Sequence, residues 1–231
     1  MTMANAKTEQ MAVKAILGGT FNPPHQGHIG AALSAADKLG IQDVYLMPCK
    51  LPPHKSVDVT QAHRVNMIAL CCEHNQRLKQ ELIELSLPSP SYTVKTLREL
   101  RKKNSDTICF FIGADSLYNL DKWYEWQQLL DYCHLVVMRR DDEVFSPPSS
   151  VSSWLNEHVA TDSNVIYKLS HGKVLLVETP LFPISSTELR ASLSSNASSD
   201  VQLRSDTNIN VSNWVSNPVL EYIKENQLYK S

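Results

Sequence analysis

Six short apolar runs, separated by segments of helical pattern, constrain this chain more than any other feature. They lie at residues 13–17, 44–47, 82–85, 107–112, 135–138 and 174–177. Such alternation predicts a parallel sheet covered by helices, and six strands make a full doubly wound sheet with helices on both faces. Between the runs, residues 28–39 read as a helix stopped by Gly40, and residues 60–74 as a second with Val65, Ile68, Ala69 and Cys72 on one stripe. Residues 92–103 read as a third helix. Residues 141–153 read as a surface loop, and 192–212 as a flexible connection or long loop before a last helix at 218–226. The length suits one domain over 1–231, with a core over about 13–190 and a small C-terminal helical part over about 185–231.

Composition excludes several classes. Lysine and arginine number 22 against 24 acidic residues, a formal charge of −2, so the chain has no global field for gripping nucleic acid. With 42% hydrophobic and 20% charged residues it belongs with ordinary globular proteins. The five cysteines are an odd count without a C-x-x-C pair, and Cys71 and Cys72 are adjacent, which speaks against a disulfide framework or structural zinc and for reduced thiols. His54, His63 and His74 lack zinc spacing. Residues 1–14 lack the apolar core of a signal peptide, and no run approaches the ~20 apolar residues of a membrane span. The expectation is a cytoplasmic protein with no membrane partner, in which the sequons at Asn196 and Asn210 have no role.

The sharpest chemical feature follows the first run: Gly18-Gly19-Thr20-Phe21-Asn22-Pro23-Pro24-His25-Gln26-Gly27-His28, leading straight into a helix. Paired glycines at a strand end let backbone approach a ligand closely. If the helix starts near Pro24, His25 and His28 lie on one face beside its N-terminus. The expected site binds polyphosphate locally through backbone dipoles and two imidazoles; the plain alternative is a turn with two incidental histidines. Ser185 and Glu188 have capping-box spacing ahead of Leu189 and Leu193. Arg190 stands early in that helix, where a cation gains nothing from the dipole and an anionic partner would suit it. Asp115 follows the fourth run, as either an N-cap for the turn at Ser116 or a ligand contact at a strand end. Trp123 and Trp126, three apart, read as an aromatic stripe on one helix.

The His25-Gln26-Gly27-His28 segment resembles the H-x-G-H signature of the nucleotidyltransferase superfamily, which implies a Rossmann-like domain. Pro48-Cys49-Lys50-Leu51-Pro52-Pro53-His54-Lys55, Pro90-Ser91-Tyr92-Thr93, Phe111-Ile112-Gly113-Ala114-Asp115-Ser116, Lys122-Trp123-Tyr124, Ile184-Ser185-Ser186-Thr187-Glu188-Leu189-Arg190 and the ending at 219–229 together resemble bacterial nicotinate mononucleotide adenylyltransferases. The resemblance spans about 13–229. It implies transfer of the adenylyl group of ATP to nicotinate mononucleotide, giving nicotinate adenine dinucleotide and pyrophosphate.

By the same resemblance His25, His28 and Lys55 are catalytic. ATP is expected on Gly18, Gly19, Thr20, Phe21, His25, His28, Asp115, Ser185, Ser186 and Arg190. The mononucleotide is expected on Lys55, Thr93, Trp123 and Tyr124, with Trp123 on the pyridine ring. Mg²⁺ would arrive with ATP, with no protein metal site and no tightly bound cofactor. Asn22 departs from the aspartate usual in the family, which removes a charge and leaves a supporting role in the turn. Competing readings are a transferase for nicotinamide mononucleotide or phosphopantetheine, a nucleotide sensor without turnover, and a class I tRNA synthetase, for which the chain is short. Oligomeric state is not legible.

Overall fold

Strand β4 (Thr107–Gly113) is buried along its whole length up to the terminal glycine, as a strand covered on both faces requires. It lies beside β1 (Val13–Gly19) at the centre of a six-stranded sheet in the order β3-β2-β1-β4-β5-β6, parallel throughout. The other strands are β2 (Val44–Pro48), β3 (Leu78–Gln80), β5 (His134–Arg140) and β6 (Val174–Thr179). The computed structural model describes residues 11–50, 59–103, 105–140, 145–195 and 210–230.

Strand order reverses between β1 and β4, and in open parallel sheets the crevice for ligands opens at the carboxyl ends beside that reversal. Gly18 and Gly19 end β1, and Gly113 ends β4.

Period-two alternation divides the core into two layers. Ala15, Leu17, Cys109, Phe111 and Val136 face one layer, packed by α1 (Gln26–Lys38), α2 (Gln61–His74), α6 (Ser186–Ser195) and α7 (Asn217–Glu225). Ile16, Ile108, Phe110, Ile112, Leu135 and Val137 face the other, covered by α3 (Thr93–Lys103), α4 (Ala114–Tyr118) and α5 (Ser149–His158). Helix α1 buries Ala31, Ala32, Ala35 and Ala36, whose small side chains let it sit close to the sheet. Its end is a Schellman cap: Gly40 takes a φ of 69°, Gly40 N–H donates to Asp37 and Ile41 N–H to Ala36.

The structure changes several expectations. The third strand is Leu78–Gln80, not 82–85; Ile83–Ser86 forms a 3₁₀ turn that directs Glu84 inward, which an extended strand in that place would not do. The buried stripe of α2 is Arg64, Met67, Ile68 and Cys71 rather than Val65, Ile68, Ala69 and Cys72, so the helix is rotated to bring an arginine inside. Residues 149–153, expected as loop, open α5, and 192–195 belong to α6. Trp123 and Trp126 share no helix: they flank Glu125, whose φ of 49° breaks the chain between two 3₁₀ turns. Helices α6 and α7 contribute Leu189, Val219 and Ile223 to the first core layer. All five cysteines are free.

Candidate active site

The turn leaving β1 is held from three sides. Phe21, 1% exposed, has a φ of 52°, a left-handed conformation rare for a bulky residue and kept only where surroundings enforce it. Behind it, the carbonyl of Thr20 accepts Nη1 of Arg64 at 2.9 Å. Ahead of it, the carbonyl of Asn22 accepts Nη1 of Arg190 at 2.9 Å, and Asn22 Oδ1 accepts the Tyr229 hydroxyl at 2.6 Å. Sequence reading gave no part to Arg64 or to the Tyr229 hydroxyl. Arg64 carried one signal, a charge three and four residues before Met67 and Ile68; Tyr229 carried none.

His25 is the N-cap residue of α1, one residue before the helix and not inside it, and its extended backbone turns the chain from the loop into the helix. Its ring lies 3.9 Å from that of His28, centroid to centroid. The imidazole is 3% exposed, and its Nε2 pairs with the Ser186 hydroxyl at 2.9 Å, which links α1 to α6. The glycine between the two histidines has a steric reason: a Cβ at Gly27 would sit 2.9 Å from Nδ1 and Cε1 of the His25 ring. The N-terminus of α1 is less open than expected, since Gln26 N–H donates to the Trp214 carbonyl and His28 N–H to His25.

Burial, then the neighbouring His28, then Arg190 lower the pKa of His25 to about 3. It therefore stays neutral at physiological pH and contributes a dipole rather than a charge. The linkage has a defined sign. Below pH 6.5 the unfolded chain takes up a proton that the folded one refuses until about pH 3, so stability present above pH 6.5 is lost as pH falls through that window. Urea unfolding at pH 7.5 and 4.5 is expected to show the wild type losing about 2.5 kcal/mol more than His25→Asn over that interval. Equal losses would mean that the ring is not desolvated.

The capping box of α6 forms as its spacing suggested: Ser185 N–H donates to Glu188 Oε2 at 2.8 Å, and Glu188 N–H to Ser185 Oγ at 3.2 Å. Arg190 reaches back along the helix to Asn22 and to Thr187 Oγ1 at 3.3 Å. Arg64, 2% exposed, also donates from Nη2 to the Lys50 carbonyl at 3.3 Å, while Glu84 Oε1 accepts Lys50 N–H at 3.2 Å. The chain leaving β2 is thus gripped on both sides of Lys50. Burial raises the pKa of Glu84. Among the described residues neither Arg64 nor Arg190 forms an ion pair. Arg64 is buried on the Thr20 and Lys50 carbonyls with Glu84 in electrostatic reach, whereas the half-buried Arg190 has no carboxylate partner among the described residues and makes the turn a candidate anion site.

Asp115 is exposed in the first turn of α4, whose N-cap is Gly113, so the N-cap alternative for it does not hold. Thr93 opens α3, and the preceding Tyr92 stacks on Tyr124 with centroids 4.5 Å apart and Lys95 Nζ 4.9 and 5.2 Å from the two rings. Thr93, Trp123 and Tyr124 are thereby brought into one neighbourhood, with Trp123 packed on the second core layer. Trp126 meets Trp154 edge to face at 5.1 Å, a structural contact. Lys55 lies outside the described residues.

Comparison with known proteins places the chain in a family. The cytidylyltransferase-like family profile matches residues 16–192. A Psychromonas ingrahamii protein named "Probable nicotinate-nucleotide adenylyltransferase" is 37% identical over 224 residues, covering 96% of this chain and 99% of that protein. An Aeromonas hydrophila protein of the same name is 40% identical over 184 residues, covering 79% and 86%. Among solved structures, Plasmodium falciparum nicotinic acid mononucleotide adenylyltransferase complexed with NaAD superposes with a TM-score of 0.65 at 19% identity, over 94% of this chain and 97% of that one, a likeness of fold. The chain therefore belongs to the cytidylyltransferase-like nucleotidyltransferases and, within them, to the nicotinate-nucleotide adenylyltransferase family.

Proposed function

We propose that the chain joins ATP to nicotinate mononucleotide, forming nicotinate adenine dinucleotide and releasing pyrophosphate, as a cytoplasmic step of NAD biosynthesis. The observation that carries this beyond family membership is the convergence, at the strand-order reversal, of His25, His28, Ser186 and Arg190 on one glycine turn, with no ion pair to Arg190 among the described residues. In this reading a phosphate oxygen of the mononucleotide attacks the α-phosphorus of ATP in line, the bond to the bridging oxygen breaks, and pyrophosphate leaves. No enzyme nucleophile is needed, because such transfers are accelerated mainly by positioning and by stabilising charge.

His28, half-buried, donates to the α-phosphoryl oxygens as charge grows on them. His25, buried and neutral, fixes the Ser186 hydroxyl and the adjacent, tilted His28 ring. Gly18, Gly19, Thr20 and Phe21 line the turn, and Ser185, Ser186 and Arg190 hold the β- and γ-phosphates at the N-terminus of α6. Asp115, at the carboxyl end of β4, takes the nucleoside side. Lys55 contributes a further cation. Trp123 and Tyr124, with Thr93 at the start of α3, receive the pyridine ring and its carboxylate. Backbone donors there would meet the N–H groups of an amide substrate and leave buried polar groups unpaired. The side chains at the turn are imidazoles, hydroxyls, a guanidinium and a neutral Asn22 whose oxygen Tyr229 already occupies. None is the anionic oxygen magnesium prefers, so Mg²⁺ belongs to the ATP complex, held by phosphate oxygens and water.

The test is pyrophosphate release with ATP, Mg²⁺ and either acceptor. Nicotinate mononucleotide should be used at least ~100-fold faster than nicotinamide mononucleotide, as a site with unpaired polar groups discriminates. Equal rates would remove the acceptor assignment, and no release with either would favour a nucleotide sensor.

A further inference from the structure

The far end of the chain returns to the turn after β1. Tyr229 lies 207 residues from Asn22, yet its hydroxyl donates to Asn22 Oδ1 at 2.6 Å. Its own backbone is fixed: φ is 63°, and its carbonyl accepts the Ser194 hydroxyl of α6 at 2.6 Å. Asn22, 7% exposed, is thus held by its side chain from Tyr229 and by its carbonyl from Arg190. One peptide earlier, Arg64 holds Thr20. Phe21, between these anchors, occupies a left-handed conformation that an unanchored phenylalanine would leave.

We propose that Tyr229 is a positioning residue for adenylyl transfer: its hydrogen bond to Asn22 keeps the turn at 20–23 in the shape that presents His28 and Arg190 to the polyphosphate. This rests on the reading of that turn as the phosphate site. The bond has a chemical logic of its own. An amide oxygen at position 22 accepts a tyrosine hydroxyl as a carboxylate would, but adds no negative charge beside Arg190, so the guanidinium keeps its attraction for phosphate. Burial raises the pKa of Tyr229, outweighing Arg190 and Arg64, which pull it down, so the hydroxyl remains a protonated donor through the neutral range.

The deletion is nearly isosteric, since Tyr229→Phe keeps the ring and removes only the donor. In the pyrophosphate assay, kcat should fall about tenfold, the scale of a small misplacement at a reacting centre, with a smaller rise in KM for ATP through Arg190, while KM for nicotinate mononucleotide stays near that of the wild type. Circular dichroism and thermal melting would show the variant folded at the assay temperature, and the loss should persist well below its melting point. Asn22→Ala should lose comparable activity, and adding Tyr229→Phe to it should cost nothing more, because both act through one hydrogen bond. Wild-type kcat in Tyr229→Phe, a loss that disappears on cooling, or additive losses in the double variant would each overturn the inference. Failure of the wild type to release pyrophosphate would instead overturn the functional reading.

Discussion

Replacing His28 by alanine is expected to lower kcat by about 10²–10³-fold in the pyrophosphate assay, the usual cost of removing one donor aimed at developing charge. The fold should survive, because the ring is only half-buried and packs edge-on to Phe21 at 5.9 Å and tilted on His25, outside the two apolar core layers. Binding should change little if the bond strengthens only as charge accumulates on the α-phosphoryl oxygens, so kcat and kcat/KM should fall together. The same substitution at His25 acts differently in kind. That ring is buried and neutral and bonded to Ser186, so its loss would disturb the junction of α1 and α6 before it disturbed any charge. Near-normal turnover in His28→Ala would take His28 out of the chemistry.

Arg190→Gln should raise KM for ATP about 30-fold, equivalent to about 2 kcal/mol for a partly exposed charge-assisted contact to phosphate. A smaller effect on kcat is expected, since most of this interaction is present in both ground and transition states. Arg190→Lys should fall between the two, keeping the charge and losing the planar fork. The bond from Arg190 to the Asn22 carbonyl is lost as well, but a single hydrogen bond from a half-buried side chain is worth only about 1 kcal/mol of stability. An unchanged KM for ATP in Arg190→Gln would show that this guanidinium serves the turn alone.

Much of the fold was legible because a parallel sheet covered on both faces needs uninterrupted apolar strands, and five of its six strands carry such a run. The sixth was missed because an edge strand paired over three residues, with Lys79 and Gln80 in it, has no comparable burial to impose on its letters. The α2 stripe failed for a related reason. Counting apolar residues cannot anticipate an arginine turned inward, where Thr20 and Lys50 offer carbonyls brought together only by the folded sheet. Trp123 and Trp126 looked like helical neighbours because spacing carries no mark of the left-handed backbone at Glu125.

By itself the sequence determined what depends on neighbours along the chain: the glycines at the end of β1, the histidines three apart at the start of α1, and the capping box that starts α6. Only tertiary structure decided which of these meet and in what electrostatic state. The contact of His25 with Ser186 spans 161 residues, that of Arg190 with Asn22 spans 168, and that of Tyr229 with Asn22 spans 207. Burial then separated two histidines that look alike as letters: one ring lost its water and takes up no second proton at neutral pH, while the other is only half-buried. Desolvation is a property of the assembled layers rather than of any segment.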